Sequence, residues 1–124
     1  MIILLDTSIL IDLLRGRADR RKSVREFLLA GHSFAISAIN MAEIYAGMRP
    51  DEEKETQDFL SSFECFPVTP MIARRGGLMR NEWAQKGITL HLADTLIAAT
   101  VVEHGLVLLT DNKKDFPMTE VTLL

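Results

Sequence analysis

Short, wholly apolar segments that stop at polar residues are the feature that most constrains this chain. The segment IILL at residues 2–5 stops at Asp6, and the segment LVLL at residues 106–109 stops at Thr110. Four apolar residues are too few for a surface helix and are typical of a strand that is buried on both faces. Between such segments, as in TSILIDLLRG, apolar residues follow helical spacing. This alternation predicts an α/β fold, with a parallel sheet covered by helices on both faces.

Strands are predicted for five stretches of the chain. They are MIILLD, SFAISA, ECFPVTP, LVLLT and EVTLL, and Pro67 in the third indicates an edge strand or a strand end. Helices are predicted for TSILIDLLRG, with Thr7 or Ser8 as the N-cap, and for SVREFLLAG, INMAEIYAGM, PDEEKETQDFLSSF, MIARRGGLMRNEWAQKG and HLADTLIAATVVEHG. The Gly76–Gly77 pair weakens its helix unless another backbone packs closely against it.

Length and composition indicate one ordinary globular domain spanning residues 1–124. The chain has 124 residues, of which 48% are hydrophobic and 25% charged. No apolar stretch approaches the ~20 residues that span a bilayer, so no membrane association is expected. The single cysteine, Cys65, cannot form an internal disulfide and fits a reducing cytoplasm. The net charge of −3 argues against bulk electrostatic attraction to nucleic acid.

Acids or amides stand at four junctions between predicted elements. Asp6 ends the first strand, Glu43 and Asp94 stand in the first turns of two helices, and Asp111 with Asn112 follows the strand LVLLT. Each has a structural alternative: a helix cap, a capping box, a partner of the helix macrodipole, or a turn residue. Because ligand sites in parallel sheets lie beyond the carboxyl ends of the strands, these residues are expected at one edge.

The surroundings of these acids favour a metal site. Glu43 and Asp94 lie among apolar residues, where an unpaired carboxylate is costly to bury, and no Lys or Arg adjoins them or Asp6 in sequence. Three carboxylates with one further carboxylate or amide form an all-oxygen site, which favours Mg²⁺ or Mn²⁺ over Zn²⁺. Such a site serves phosphoryl chemistry. Asp12, further along the first helix, has no comparable context and is interpreted as an ordinary helix residue.

Two basic groups could hold the backbone of a nucleic acid that the acidic site would otherwise repel. The alternative for both is a solvated helix face. The candidate RNA-binding residues are Arg15, Arg17, Arg20, Arg21, Lys22, Arg74, Arg75 and Arg80.

Three stretches of the chain resemble a known family. ILLDTSILIDLLRG, ISAINMAEIYAGM and LADTLIAATVVEHGLVLLTDNKKDF, in this order, are similar to the PIN-domain ribonucleases, and specifically to the VapC toxins of toxin–antitoxin pairs. The resemblance implies a three-layer α/β/α fold with a central, mostly parallel sheet of four to five strands. It also implies an Mg²⁺- or Mn²⁺-dependent endoribonuclease, a homodimer, and inhibition by a small VapB-like antitoxin.

The resemblance assigns the site by position. Asp6, Glu43 and Asp94 match the first three acids, and Asn112 matches the fourth position, with Asp111 as a possible substitute. The supporting polar residues that it implies are Thr7, Ser8 and Thr110. Asp115 matches a recurrent acid of the family with an expected structural role. Asn40 stands where the family often has a hydroxyl residue.

Two other functions are compatible with the predicted architecture. A receiver-type phosphoacceptor domain would need an acceptor acid at the end of a central strand near mid-chain, but Asp51 and Asp58 lie in a polar helical stretch. A catalytically inactive PIN-like module would grip RNA or a protein partner without cutting. The complete acidic set favours the nuclease.

Overall fold

The computed structural model describes all of residues 1–124 as a parallel sheet between two layers of helices. The strands are Ile2–Leu5 (β1), Ser33–Ser37 (β2), Glu64–Phe66 (β3) and Val107–Leu109 (β4). The helices are Thr7–Leu14 (α1), Ala18–Leu29 (α2), Ala38–Gly47 (α3), Glu53–Leu60 (α4), Pro70–Gln85 (α5) and Leu92–Glu103 (α6), with 3-10 turns at Pro50–Glu52 and Lys113–Asp115. The predicted α/β/α class is confirmed.

The sheet has four strands in the order β3-β2-β1-β4, and every pairing is parallel. β3 is an edge strand, as Pro67 indicated. The predicted fifth strand, EVTLL, is wrong: it forms only an isolated bridge between Leu108 and Leu123. The C-terminal segment pairs with β4 at this one position only, through hydrogen bonds from the Leu108 N–H to the Thr122 carbonyl and from the Leu124 N–H to the Leu108 carbonyl.

Alternating residues of β1 divide the core into two halves. Ile3 and Leu5 pack against α1 to α4, whereas Leu4 packs against α5 and α6 on the opposite face. All three side chains are fully buried, as predicted for a strand between two helical layers. None of the helices is long and apolar enough to cross a membrane.

The start of α2 and the N-cap of α1 differ from the sequence prediction. α2 begins at Ala18, five residues before the predicted SVREFLLAG, because the basic stretch before it forms an exposed helix face. α1 is capped by Asp6 itself, not by Thr7 or Ser8. Gly31 follows the end of α2 with a φ of +93°, the left-handed conformation expected after a helix C-terminus.

Candidate active site

The site lies at the carboxyl edge of the sheet, where β1, β2 and β4 end beside one another. Asp6 follows β1, Thr110 follows β4, and α3 starts directly after β2. The backbone N–H of Asp6 donates to the carbonyl of Leu109 at 3.0 Å, which ties the end of β1 to the end of β4. This edge is therefore held by backbone hydrogen bonds before any side chain contributes.

Asp6 is a helix cap and a site residue at once. Its Oδ1 accepts a hydrogen bond from the backbone N–H of Thr7 at 2.9 Å, and its Oδ2 accepts one from the Thr110 hydroxyl at 2.7 Å. The residue is only 6% exposed. Two donors thus fix the plane of the carboxylate, and each oxygen keeps a second lone pair for a ligand.

Glu43 is oriented by a short relay that begins in the core. Ser37 and Asn40 form the capping box of α3, so the capping box that was the structural alternative for Glu43 does not form. The reason is that α3 starts earlier, at Ala38, which places Glu43 in its second turn. The buried Asn40 amide donates to Thr7 Oγ1 at 3.1 Å, and the Thr7 hydroxyl donates to Glu43 Oε1 at 2.7 Å. Asn40 therefore takes part in building the site through its amide, a role that sequence reasoning missed.

Asp94 lies within electrostatic reach of three other carboxylates. Partial burial, followed by the charges of Asp115, Asp6 and Glu43, raises the pKa of Asp94 to about 6, while His91 acts in the opposite direction. No lysine or arginine is among these influences. Four acids therefore share one neighbourhood, and His91 is the group of the chain that offsets their charge at Asp94.

Asp115 belongs to this neighbourhood, although the sequence indicated only a structural role. The 3-10 turn Lys113–Asp115 carries it back towards α6, and its backbone N–H donates to the Asn112 carbonyl at 3.0 Å. The motif KKDF signals neither the turn nor the proximity to Asp94, so sequence spacing alone could not have revealed it.

The contacts of Asp111 and Asn112 distinguish these two candidates for the fourth position. Asp111 forms an ion pair with Arg20 of α2. Asn112 is exposed, its side chain makes no hydrogen bond, and its backbone N–H donates to Thr110 Oγ1 at 3.0 Å. The Asn112 amide is thus free for a ligand, whereas Asp111 is engaged elsewhere.

The predicted RNA-binding residues fall into two classes. Four are engaged with the protein: Arg17 and Arg20 with Asp12, Arg75 with Glu103, and Arg80 with the carbonyl of Leu90. Four are exposed and form no ion pair: Arg15, Arg21, Lys22 and Arg74. Asp12, interpreted from sequence as an ordinary helix residue, is instead the partner of two arginines, because α2 folds back beside α1.

The donor set fits a hydrated divalent ion. No three acidic, histidine or cysteine side chains stand close enough to coordinate one ion directly. Mg²⁺ commonly keeps several of its waters and uses only one or two carboxylates, and such an ion matches a loose acidic cluster. The Ser8 hydroxyl, two residues after Asp6 in sequence, is buried without a hydrogen-bond partner, and a water molecule is the usual partner of such a group.

Comparison with known proteins identifies one family over nearly the whole chain. The family model for the PIN domain matches residues 3–120. The chain is 38% identical over 121 residues to "Ribonuclease VapC10" of Mycobacterium tuberculosis, covering 95% of this chain and 88% of that protein.

Solved structures share the fold over nearly the full length. VapBC2 of Rickettsia felis, bound to a DNA fragment from its promoter, aligns with a TM-score of 0.85 and 28% identity, covering 100% of this chain and 98% of that one. A toxin–antitoxin complex from Klebsiella pneumoniae aligns with a TM-score of 0.79 and 34% identity, covering 97% and 95%.

Proposed function

The chain belongs to the VapC ribonucleases of the PIN-domain family, and we propose that it is a divalent-metal-dependent endoribonuclease, the toxin of a type II toxin–antitoxin pair. The observation that carries the proposal is the acidic neighbourhood of Asp94, in which burial and three further carboxylates raise its pKa to about 6. A cluster of like charges with no lysine or arginine partner is costly unless a cation binds there.

We assign the metal ligands to Asp6, Glu43, Asp94 and Asn112, some of them acting through water, with Asp115 as a further charge beside Asp94. Oxygen donors favour Mg²⁺ and leave Mn²⁺ as an equivalent substitute. When bound, the ion supplies Lewis-acid activation of water and neutralises charge that develops on the phosphate.

The chain's own residues supply the geometry for hydrolysis. Thr110 and the N–H of Thr7 hold the plane of Asp6, and the Asn40–Thr7 relay holds one oxygen of Glu43. Glu43 and Asp94 are left to orient the water that attacks the phosphodiester in line. The exposed basic residues, among them Arg15, offset repulsion between the acidic site and the RNA backbone.

The partners of the proposed toxin are its RNA substrate, a VapB-like antitoxin and a second copy of the chain. We place the antitoxin in the groove between α1 and α3, which is lined by the apolar side chains of Ile11, Leu14, Ile44 and Met48 and also by Glu43. A segment bound there covers one site carboxylate and blocks cleavage. RNA as the substrate makes the cytoplasm the expected compartment.

Cleavage of RNA by the purified protein tests the proposal. We expect cleavage with Mg²⁺ or Mn²⁺ and none with EDTA. Asp6→Asn, Glu43→Gln and Asp94→Asn should each lower the rate at least 100-fold, since each removes a negative charge from the proposed ion site. The control is Asp51→Asn, an exposed acid without an ion pair, which should cleave at the wild-type rate.

A protein that binds RNA equally well with and without a divalent ion, and never cuts it, would instead be the inactive PIN-like module. Undiminished cleavage by Asp94→Asn would overturn the site assignment.

A further inference from the structure

Arg20 links α2 to the loop beside the site carboxylates. Its Nε donates to Asp12 Oδ2 on α1 at 3.1 Å, and its terminal nitrogen pairs with Asp111 after β4. Only 18% of the Arg20 side chain is exposed. The guanidinium therefore joins carboxylates from two separate elements and has little surface left for an external ligand.

Hydrogen bonds of the two residues beside Asp111 connect the Arg20 ion pair to Asp6. Asp111 lies between Thr110, whose hydroxyl donates to Asp6 Oδ2 at 2.7 Å, and Asn112, whose N–H donates to Thr110 Oγ1 at 3.0 Å. Holding Asp111 in place therefore fixes both the donor that orients Asp6 and the backbone that presents the Asn112 amide.

We propose that Arg20 is a positioning residue for the candidate nuclease site. Its planar guanidinium bridges Asp12 and Asp111, holds the Thr110 hydroxyl against Asp6, and so orients Asp6 for divalent-ion binding. A lysine ammonium is a point charge that lacks the rigid fork needed to serve both partners in one geometry. This inference rests on the proposed metal-dependent function and removes Asp111 from the ligand set.

The alternative role for Arg20, direct RNA binding, conflicts with its surroundings. Lys22 and Arg25 on the same helix are exposed and form no ion pair, as expected for residues that meet a polyanion or solvent. Arg20 is the residue of this basic stretch that is withdrawn from solvent and saturated by two acids. Its charge is thus used inside the protein.

The test measures Mn²⁺ affinity of the purified protein by calorimetric titration, beside kcat and KM for RNA cleavage. Arg20→Gln should weaken Mn²⁺ binding about tenfold, the lower end of the effect of residues that orient metal ligands. Its kcat should fall at limiting Mn²⁺ and recover as Mn²⁺ is raised, with KM for RNA unchanged. Arg20→Lys should lose nearly as much affinity. The matched control, Arg25→Gln, removes the same charge from the same helix and should behave as the wild type.

A double-mutant cycle with Asp111→Asn separates positioning from ligation. Because Arg20→Gln and Asp111→Asn break the same contact, the double variant should lose no more Mn²⁺ affinity than either single variant. The Asp111 side chain is half exposed, so Asp111→Asn breaks the same contact at its more exposed partner. This variant serves as the test if Arg20→Gln does not fold, as judged by circular dichroism.

Three outcomes would overturn the inference. One is an Arg20→Gln protein with wild-type Mn²⁺ affinity and a raised KM, which would make Arg20 an RNA contact. Another is a loss in Asp111→Asn much larger than in Arg20→Gln and additive with it, which would make Asp111 a ligand. The third is equality of Arg20→Gln and the wild type in all three measurements. A wild-type protein that neither binds Mn²⁺ nor cuts RNA would instead refute the proposed function itself.

Discussion

Asp94 shows how a carboxylate at the proposed site can destabilise the fold. Burial and the neighbouring charges of Asp115, Asp6 and Glu43 raise its pKa from 3.8 to about 6. The folded protein therefore binds a proton more readily than the unfolded chain between about pH 4 and 6, and its stability falls as pH rises through this window. Above pH 6 the penalty is fully present. The Asp94 carboxyl should thus make the metal-free protein less stable at pH 7.5 than at pH 5.

Asp94→Asn is expected to stabilise the metal-free protein while it abolishes cleavage. Since the side chain is about half exposed, solvent screening reduces the gain to roughly 1 kcal/mol at pH 7.5, or about 4 °C in Tm. The gain should shrink towards pH 4, where Asp94 is protonated in the folded wild type. Thermal melting in EDTA across this pH range measures both trends. A variant that melts below the wild type at pH 7.5 would show that the carboxylate cluster is not strained.

At the scale of elements, the approach of α5 to α6 sets where Asp94 stands. A Cβ on Gly76 would lie 2.8 Å from Leu96 Cδ2 and 3.2 Å from both the Leu96 Cα and the Thr95 carbonyl oxygen. Gly76 therefore allows the two helices to touch beside the first turn of α6. A Cβ on the adjacent Gly77 meets nothing within 4 Å, so only one glycine of the pair is required by packing.

This difference predicts opposite effects for two neighbouring substitutions. Gly77→Ala should stabilise the protein by about 1 kcal/mol, the gain of alanine over glycine inside a helix, and leave cleavage unchanged. Gly76→Ala should destabilise it by about 1–3 kcal/mol through overpacking, and should also slow cleavage because α6 must shift. Urea unfolding and RNA cleavage of both variants check this. Equal stabilities would mean that the helices adjust freely at this contact.

The first four strands and the six helices were predictable from local sequence, whereas the contacts between distant residues were not. Short apolar strands ending at Asp6 and Thr110 carry their own signal, because burial and strand length are properties of neighbouring residues. Arg20 and Asp111 lie 91 positions apart, and nothing in their local sequence indicates a partner. The proximity of Asp115 to Asp94 likewise depends on the 3-10 turn Lys113–Asp115, which the local sequence does not predict. The requirement for a close backbone approach at the glycine pair was predicted, and Gly76, which shares one helix face with Ile72 and Met79, meets it.

At the scale of the whole molecule, the acidic site and the apolar groove between α1 and α3 are continuous through Glu43, which belongs to both. A protein segment bound in the groove therefore reaches a site residue without entering the site from the RNA side. An antitoxin segment bound in the groove would gain affinity from the apolar side chains there and would inhibit cleavage by covering Glu43. The groove thus links the partner of the proposed toxin to its activity.

Ile11→Gln is expected to separate antitoxin binding from cleavage. Ile11 is 40% exposed and lines the groove, and replacing an apolar interface residue of this kind costs about 2 kcal/mol, or roughly 30-fold in affinity. The free variant should still cut RNA, because Ile11 holds no site residue. The matched control is Leu29→Gln on α2, which removes a more exposed apolar side chain, at 77%, outside the groove. Co-expression of each tagged variant with a VapB-like antitoxin, followed by affinity measurement on the purified pair, decides the matter: equal affinities for the two variants would place the antitoxin on another surface.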